Sequence, residues 1–467
     1  MDIDPVFTPV RQLGELIHAG RASPVDLAEV FLERLERLGP RYNAVVTVTR
    51  ERALKQARKA EEEMASGIHR GPLHGIPYGA KDLLATSGGI PTTWGAAPFR
   101  NQTFEHDATV IRNLEKAGAV LCAKLAMIEL AGGMGYRQPN ASFTGPCRNP
   151  WNTDTWSGGS SSGSGSSVCA GLVPFAIGSE TWGSILSPAN NCGVAGLRPT
   201  YGLVSRHGAM ALSWTLDKLG PLCQTADDCG LVLEAIAGPD PDDPTTSAAG
   251  FTYDSGSSGE RFRIAFFKGA LEGVDDEVAL NFHGALNALR GVATVDEIEI
   301  PDLPYEAVTR TILNAESASA FEEFIEGGGV AGLTAPEDHH PHARFAVLAR
   351  DYLRAMRLRG IMARKIDNAM SRFDAVVAPT SRRVATPIDK EFRPAAPGTT
   401  KDIMGAIGNV CGLPSISVPS GFTESGLPTG IQFMGSAYGE NSILALARTY
   451  QKLTSWHKLH PPDLMSA

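Results

Sequence analysis

No stretch of this 467-residue sequence approaches the ~18 consecutive apolar residues that a membrane-spanning helix needs. The opening MDIDPVFTPV is acidic, whereas a secretory signal has a basic start followed by an apolar run. A cytoplasmic location away from membranes is therefore expected. Basic residues are also short: 42 Lys and Arg stand against 51 Asp and Glu, a formal charge of −9. Nucleic acids and anionic lipids are bound through a basic face, so neither is an expected partner. A small neutral molecule fits better. The seven cysteines, Cys122, Cys147, Cys169, Cys192, Cys223, Cys229 and Cys411, form an odd set with no CxxC and no zinc-like spacing, which leaves buried free thiols. No Gly-Lys-Ser/Thr follows the Gly-rich runs, which excludes a phosphate-binding loop. No repeat of fixed period occurs. His18, His69, His74, His106, His207 and His283 adjoin no serine or cysteine motif. Glu337, Asp338, His339, His340 and His342 lack ordered ligand spacing and read as a solvated loop. Neither metal nor cofactor is expected.

A hydrophobic share of 43% with 20% charged residues describes a globular chain with a sizeable core. Ser23-Pro24-Val25-Asp26 supplies a capping hydroxyl, a proline at the first helical position and an acid in the first turn, ahead of apolar Leu27, Val30, Phe31 and Leu35. A second helix is expected over 50–66, rich in Ala, Glu, Lys and Arg and stopped by Gly67. Strand-like runs at 119–123 and 173–177 alternate with glycine turns and helices, the pattern of an α/β fold. Residues 238–260, rich in Pro, Asp, Ser and Gly, read as an exposed loop. Beyond it a strand-helix-strand unit is expected over 262–267, 275–289 and 292–300. The stretch 327–342 reads as a mobile surface excursion. Buried strands are expected at 375–379 and 415–419, and a closing helix at 441–453.

Chemistry concentrates in 155–185, TWSGGSSSGSGSSVCAGLVPFAIGSETWGSI, where Ser160 and Ser184 each sit among small residues. A serine hydroxyl is a weak nucleophile. It needs a base within hydrogen-bond reach and backbone donors for the oxyanion it creates. Lys81, in GAKD, offers the base. A free lysine has a pKa of ~10.4 and is charged at neutral pH, so burial must depress it before it can accept a proton. The neighbouring Asp82 would oppose that if its carboxylate faced the amine; it must therefore point elsewhere. Serine-glycine composition also suits a flexible linker, but this run lies between Pro150-Trp151 and an apolar segment at 168–177.

GGSSSGS at 158–164, SETWGSI at 179–185 and GIPYGAKD at 75–82 resemble the motifs of the amidase signature family of Ser-Ser-Lys hydrolases. SPVDLAEVFLERLERLGPRYNAVV, CGVAGLRPTYGLVSRHG and GLPSISVPSGFTESGLPTGIQFMG extend the resemblance over nearly the whole chain, least clearly across 240–373. The resemblance implies an α/β fold, a large mixed central sheet with helices on both faces. It implies one domain over 1–467: a helical layer at 1–66, a catalytic core at 67–237, a variable loop and strand-helix-strand insertion at 238–345, and the rest of the sheet at 346–467. By the same resemblance Ser184 attacks, Ser160 relays protons, Lys81 is the ultimate base and the Gly159-Ser160 peptide is cis. The backbone of Thr181, Trp182, Gly183 and Ser184 forms the oxyanion hole. Ala131, Gly132, Gly133, Met134 and Tyr136, in AGGMGY, line the substrate cleft. Asp217 and Arg198 hold loops behind the site.

The sequence departs from the common D-x-G-G-S pattern, with Glu180 for Asp and Trp182 for the first Gly. It has Leu186 and Ser187 where many relatives carry an arginine, which favours neutral or aryl acyl groups. The expected activity is hydrolysis of small amides through an acyl-enzyme, extending to esters and carbamates (urethanes). Three other readings use the same residues. One is the A component of a tRNA-dependent amidotransferase, which needs partner subunits and a polar site for glutamine. GSSSG at 159–163 also fits a nucleophile elbow with Ser161 attacking and His457 or His460 as base; on the first reading Ser161 is dispensable. The last is a binding protein with a vestigial trio. A monomer and a homodimer are equally compatible with the sequence.

Overall fold

The computed structural model describes residues 4–256, 261–392 and 402–464. Its centre is a mixed sheet of eleven strands among the described residues. In spatial order these are Val45–Val48, Val120–Leu125, Pro77–Lys81, Phe175–Glu180, Lys218–Cys223, Ala195–Arg198, Ser415–Phe422, Pro428–Met434, Ala375–Pro379, Phe262–Phe267 and Ala293–Ile298. Side chains alternate across the strands, as the pleat requires. Leu121, Phe175 and Ile177 enter one core, while Val120, Cys122 and Ala176 enter another on the opposite face.

The first core runs the length of the sheet under helices Val10–His18, Thr109–Lys116, Ala226–Ile236, Asp276–Leu289 and Glu440–Thr454. The opposite face is covered in two halves. Pro24–Tyr42, Arg50–Ala65, Ser162–Cys169 and Leu186–Cys192 cover one; Tyr305–Ala320, Ala349–Met370 and Ile403–Val410 cover the other. Ile185 packs into the first half and Trp182 against the second, so the turn carrying Ser184 lies on the seam.

Local chemistry explains the elements read from sequence. The Ser23 hydroxyl accepts from the N–H groups of Val25 and Asp26, both at 3.1 Å, and starts the helix Pro24–Tyr42. The serine-glycine run is a buried helix, and its glycines permit close packing: a Cβ on Gly163 would lie 2.4 Å from both Ala126 N and Ala44 O. Strands Val45–Val48, Pro77–Lys81, Ala195–Arg198, Lys218–Cys223 and Pro428–Met434 have no counterpart in the sequence reading. Lys81 is the last residue of its strand.

Two expected loops are docked. In 238–256, Asp240 accepts from Thr109 Oγ1 at 2.5 Å and Ser205 Oγ at 2.6 Å, and Asp243 is buried beside Arg206; residues 257–260 lie outside the described residues. Within 327–342, Val330, Leu333 and Ala335 are buried, and the buried Glu129 carboxylate accepts from Thr334 N at 2.9 Å and Ala335 N at 3.0 Å. Six of the cysteines are buried and Cys411 is half-buried, all as free thiols.

Candidate active site

Strand Pro77–Lys81 runs parallel to Phe175–Glu180 and to Val120–Leu125, so Lys81 and Ser179 meet at the carboxyl ends of neighbouring strands. Crevices at such ends are where α/β sheets bind ligands. Lys81 is fully buried, and its Nζ lies within hydrogen-bond distance of Ser160 Oγ at 2.8 Å, Ser161 Oγ at 2.9 Å and Ser179 Oγ at 2.8 Å. Burial holds this amine well below the usual lysine range, against the weaker opposing pull of Asp217 and Glu180. Asp82 does point away. Its Oδ1 pairs with the buried Lys124 Nζ at 3.0 Å, and its Oδ2 accepts from Thr93 N at 3.0 Å and from the Thr93 hydroxyl.

Proton accounting sets Ser161 apart from the other two hydroxyls. A neutral amine has two N–H donors and one lone pair, so one hydroxyl must donate to it. Ser161 Oγ is committed: it donates to Ser179 O at 3.1 Å and accepts from Ser179 N at 3.2 Å. Ser160 Oγ and Ser179 Oγ each have no acceptor for their proton other than Lys81 among the described residues, and of the two it is Ser160 whose segment is tied to Ser184. That arrangement disfavours Ser161 as nucleophile, and neither His457 nor His460 bonds to it among the described residues. It also runs against the expectation that Ser161 is dispensable, since its hydroxyl ties Lys81 to the neighbouring strand. Ser179 and Ser161 were visible as residues of the two motifs, but their convergence depends on a strand register that spacing does not encode.

The Gly159-Ser160 peptide is cis. Ser161 N donates to Ser184 O at 3.2 Å, which ties the two serine segments together. Ser184 is 7% exposed and its hydroxyl makes no hydrogen bond among the described residues; the structure brings Ser160 onto Lys81 but does not bond Ser184 to Ser160. Catalytic hydrogen bonds are often long without substrate and tighten in the complex.

Glu180 shapes the turn between them. Its Oε2 accepts from Ile185 N at 2.9 Å and Leu186 N at 3.0 Å, while Oε1 accepts from Arg198 Nη1 at 2.8 Å and Asn409 Nδ2 at 3.1 Å. Burial alone would raise this carboxylic acid; Arg198, then Lys218, outweigh it and bring it to about 2. The longer side chain in place of Asp is thus used in full. Asp217 accepts from Thr181 Oγ1 at 2.5 Å and from Leu212 N and Ser213 N, pinning the start of the same turn. The N–H groups of Thr181, Trp182, Gly183 and Ser184 have no protein acceptor among the described residues. Gly183 has φ +88°, and the space where its Cβ would stand is open. Donors of this kind, fixed before reaction, stabilise an oxyanion.

A model of the family described as Amidase matches residues 26–444. The chain belongs to the amidase signature family. Among curated amidase-family relatives, the glutamyl-tRNA(Gln) amidotransferase A component of Methylococcus capsulatus is 35% identical over 471 residues, covering 95% of this chain and 96% of the relative. The solved peptide amidase from Stenotrophomonas maltophilia superposes with a TM-score of 0.82 at 31% identity, covering 97% of this chain and 98% of that one. The corresponding amidotransferase A component from Thermotoga maritima gives 0.76 at 29% identity, with 96% of each chain covered.

In this amidase-signature hydrolase the remaining sequence-predicted residues are spread around the trio. Ala131, Met134 and Tyr136 are buried, and Leu130 and Ala131 hold left-handed backbone at φ 50° and 53°. Ile128 N donates to Ser160 O at 3.1 Å, which joins this loop to the relay serine. Cβ positions on Gly132 and Gly133 face the rings of Tyr136 and Phe321, so protein packing alone accounts for both glycines. Trp182 is half-buried and fixed by its Nε1, which donates to Asp402 Oδ2 at 2.9 Å. The Arg310 guanidinium lies 5.6 Å from the Trp182 ring centre. The sequence reading gave no sign of this pairing because Arg310 comes from the helix Tyr305–Ala320, more than a hundred residues away, with no motif around it.

Proposed function

We propose that the chain cleaves the C–N bond of small amides through an acyl-enzyme on Ser184. The observation that carries this reading is the fully buried Lys81 amine at 2.8 Å from Ser160 Oγ, which burial holds well below the usual lysine range. Ser160 gives its proton to Lys81 and takes the Ser184 proton as the Ser184 oxygen attacks the carbonyl carbon. The oxyanion that forms is held by the N–H groups of the turn 181–184. When the C–N bond breaks, the proton on Lys81 returns through Ser160 to the leaving nitrogen, and the acyl group remains on Ser184. Water then enters, loses a proton along the same path and frees the acid. Esters follow the same steps with an alcohol as leaving group, and carbamates leave a carbamoyl or carbonate group on Ser184. Leu186 and Ser187 beside the nucleophile, Trp182 two residues before it and Ile128 bonded to the relay serine support neutral or aryl acyl groups.

A second reading, the glutamine-hydrolysing A component of a tRNA-dependent amidotransferase, is favoured by the names of the curated relatives. Arg310 beside Trp182 would give it a cation for a substrate carboxylate. The two readings are separated by ranking kcat/KM of the isolated chain on anilides, primary amides, aryl carbamates, p-nitrophenyl esters and glutamine. Glutamine as the sole substrate, or turnover only when partner subunits are added, would replace the first reading with the second.

A further inference from the structure

We propose that Asp402 is a positioning residue for the oxyanion turn, which it holds from across the seam through the ring of Trp182. This rests on the acyl-transfer reading above. Trp182 stands two residues before Ser184, where the common family pattern has glycine. A glycine has no side chain to fix, whereas the indole gives the turn an attachment of its own. Its Nε1 donates to Asp402 Oδ2 at 2.9 Å, its ring packs against the apolar residues under the helices Tyr305–Ala320, Ala349–Met370 and Ile403–Val410, and the Arg310 guanidinium lies 5.6 Å from the ring centre.

The surroundings of Asp402 are built around that bond. Its Oδ1 accepts from Gly405 N at 3.0 Å and caps the helix Ile403–Val410, which leaves Oδ2 to the indole. Its own N–H donates to Glu306 Oε1 at 2.7 Å, on the helix that also carries Arg310. Gly405 lies in the first turn of its helix, where no positive φ requires glycine and alanine would be the better helix former. A Cβ at 405 would overlap Asp402 Oδ2 and stand 2.8 Å from Oδ1, so the glycine keeps the room that the carboxylate uses. The rest of the turn is tied down on either side: Thr181 by Asp217, and the N–H groups of Ile185 and Leu186 by Glu180. Between these anchors the Trp182 ring is the attachment, since Gly183 next to it has φ +88° and open space at its Cβ position. Backbone donors stabilise an oxyanion only when they are fixed before it forms. Releasing the indole frees the Trp182–Gly183 peptide, and with it the Gly183 N–H.

The test measures phosphonylation of Ser184 by a small fluorophosphonate on the full chain, with the limiting rate kinact separated from the half-saturating concentration KI. The phosphoryl oxygen gains charge in that transition state as a carbonyl oxygen does, so the same donors are read without a natural substrate. Trp182→Phe keeps a ring and loses its N–H. Asp402→Ser keeps a helix-capping hydroxyl and is too short to reach the indole. Loss of a whole oxyanion donor costs about 10²–10³-fold, and a loosened one is expected to cost roughly ten-fold in kinact in each variant, with KI within about two-fold of wild type. Gly405→Ala leaves both bonding partners in place, displaces the carboxylate and is expected to lower kinact in the same way, which covers a variant at 182 or 402 that folds poorly. The double variant Trp182→Phe/Asp402→Ser is expected to be no slower than either single one, because both break the same bond. A kinact within about two-fold of wild type in the folded single variants, a loss carried by KI instead, or losses that multiply in the double variant overturns the proposal. A wild type that is never phosphonylated on Ser184 overturns the acyl-enzyme reading instead, and the proposal falls with it.

Discussion

Glu180→Gln removes one charge and almost no volume, and the structure fixes what it costs. The carboxylate is fully buried and holds four donors: Ile185 N, Leu186 N, Arg198 Nη1 and Asn409 Nδ2. Glutamine keeps one acceptor oxygen, turns the other into a donor and leaves the buried Arg198 without its counter-charge. Breaking a buried pair from one side costs about 3–5 kcal/mol. Linkage gives an independent figure. The acid falls from the usual 4.5 to about 2 in the folded chain, and at 1.36 kcal/mol per pH unit this is about 3 kcal/mol. Because the folded value is the lower one, the contribution is complete above about pH 4.5 and is lost as pH falls through about 2. Urea unfolding of wild type and variant at pH 7 is expected to differ by about 3 kcal/mol, and the gap should narrow below about pH 4.5 and close as pH falls through about 2. The turn also loses an N–H acceptor next to the oxyanion donors, so kcat should fall by roughly 10²-fold, the loss seen when one such donor is misplaced. A variant within about 1 kcal/mol of wild type and equally active would refute the reasoning.

Lys81→Met should silence turnover. In the wild type, kcat/KM should rise ten-fold per pH unit until Lys81 is uncharged and then level off, because burial lowers this amine and only its neutral form accepts a proton. The folded chain sheds that proton earlier than the unfolded one, so wild-type stability gains with pH between the two values, and the Met variant should lack that gain in urea titrations across pH. Ser161→Ala removes a buried hydroxyl that bonds Lys81 and both backbone groups of Ser179. It should cost about 1–3 kcal/mol of stability and roughly ten-fold in kcat, while Ser184 still acylates; loss of the adduct itself would revive the elbow reading.

The parts that composition and spacing reveal are those whose physics is local. Capping at Ser23, the helix after Arg50 and the strand 375–379 each follow from a few neighbouring residues, and the structure has them within a residue or two. The two serine motifs were legible because a run of small residues between apolar segments has few other uses. What connects them was not. Lys81 finds Ser179 only because two strands nearly a hundred residues apart lie side by side in parallel, and Asp82 finds Lys124 through a different strand pairing. The docked stretch 327–342 looked mobile because its turns are polar and glycine-rich; its anchor, Glu129, lies some two hundred residues earlier.

Mass spectrometry of the intact chain after a small fluorophosphonate, followed by peptide mapping across a pH series, tests the central claim most directly. One phosphonyl group on Ser184 is predicted, forming faster as pH rises and abolished in Ser184→Ala and Lys81→Met. A label on Ser161, or labelling of Ser184 that is indifferent to pH and to Lys81, would contradict the account.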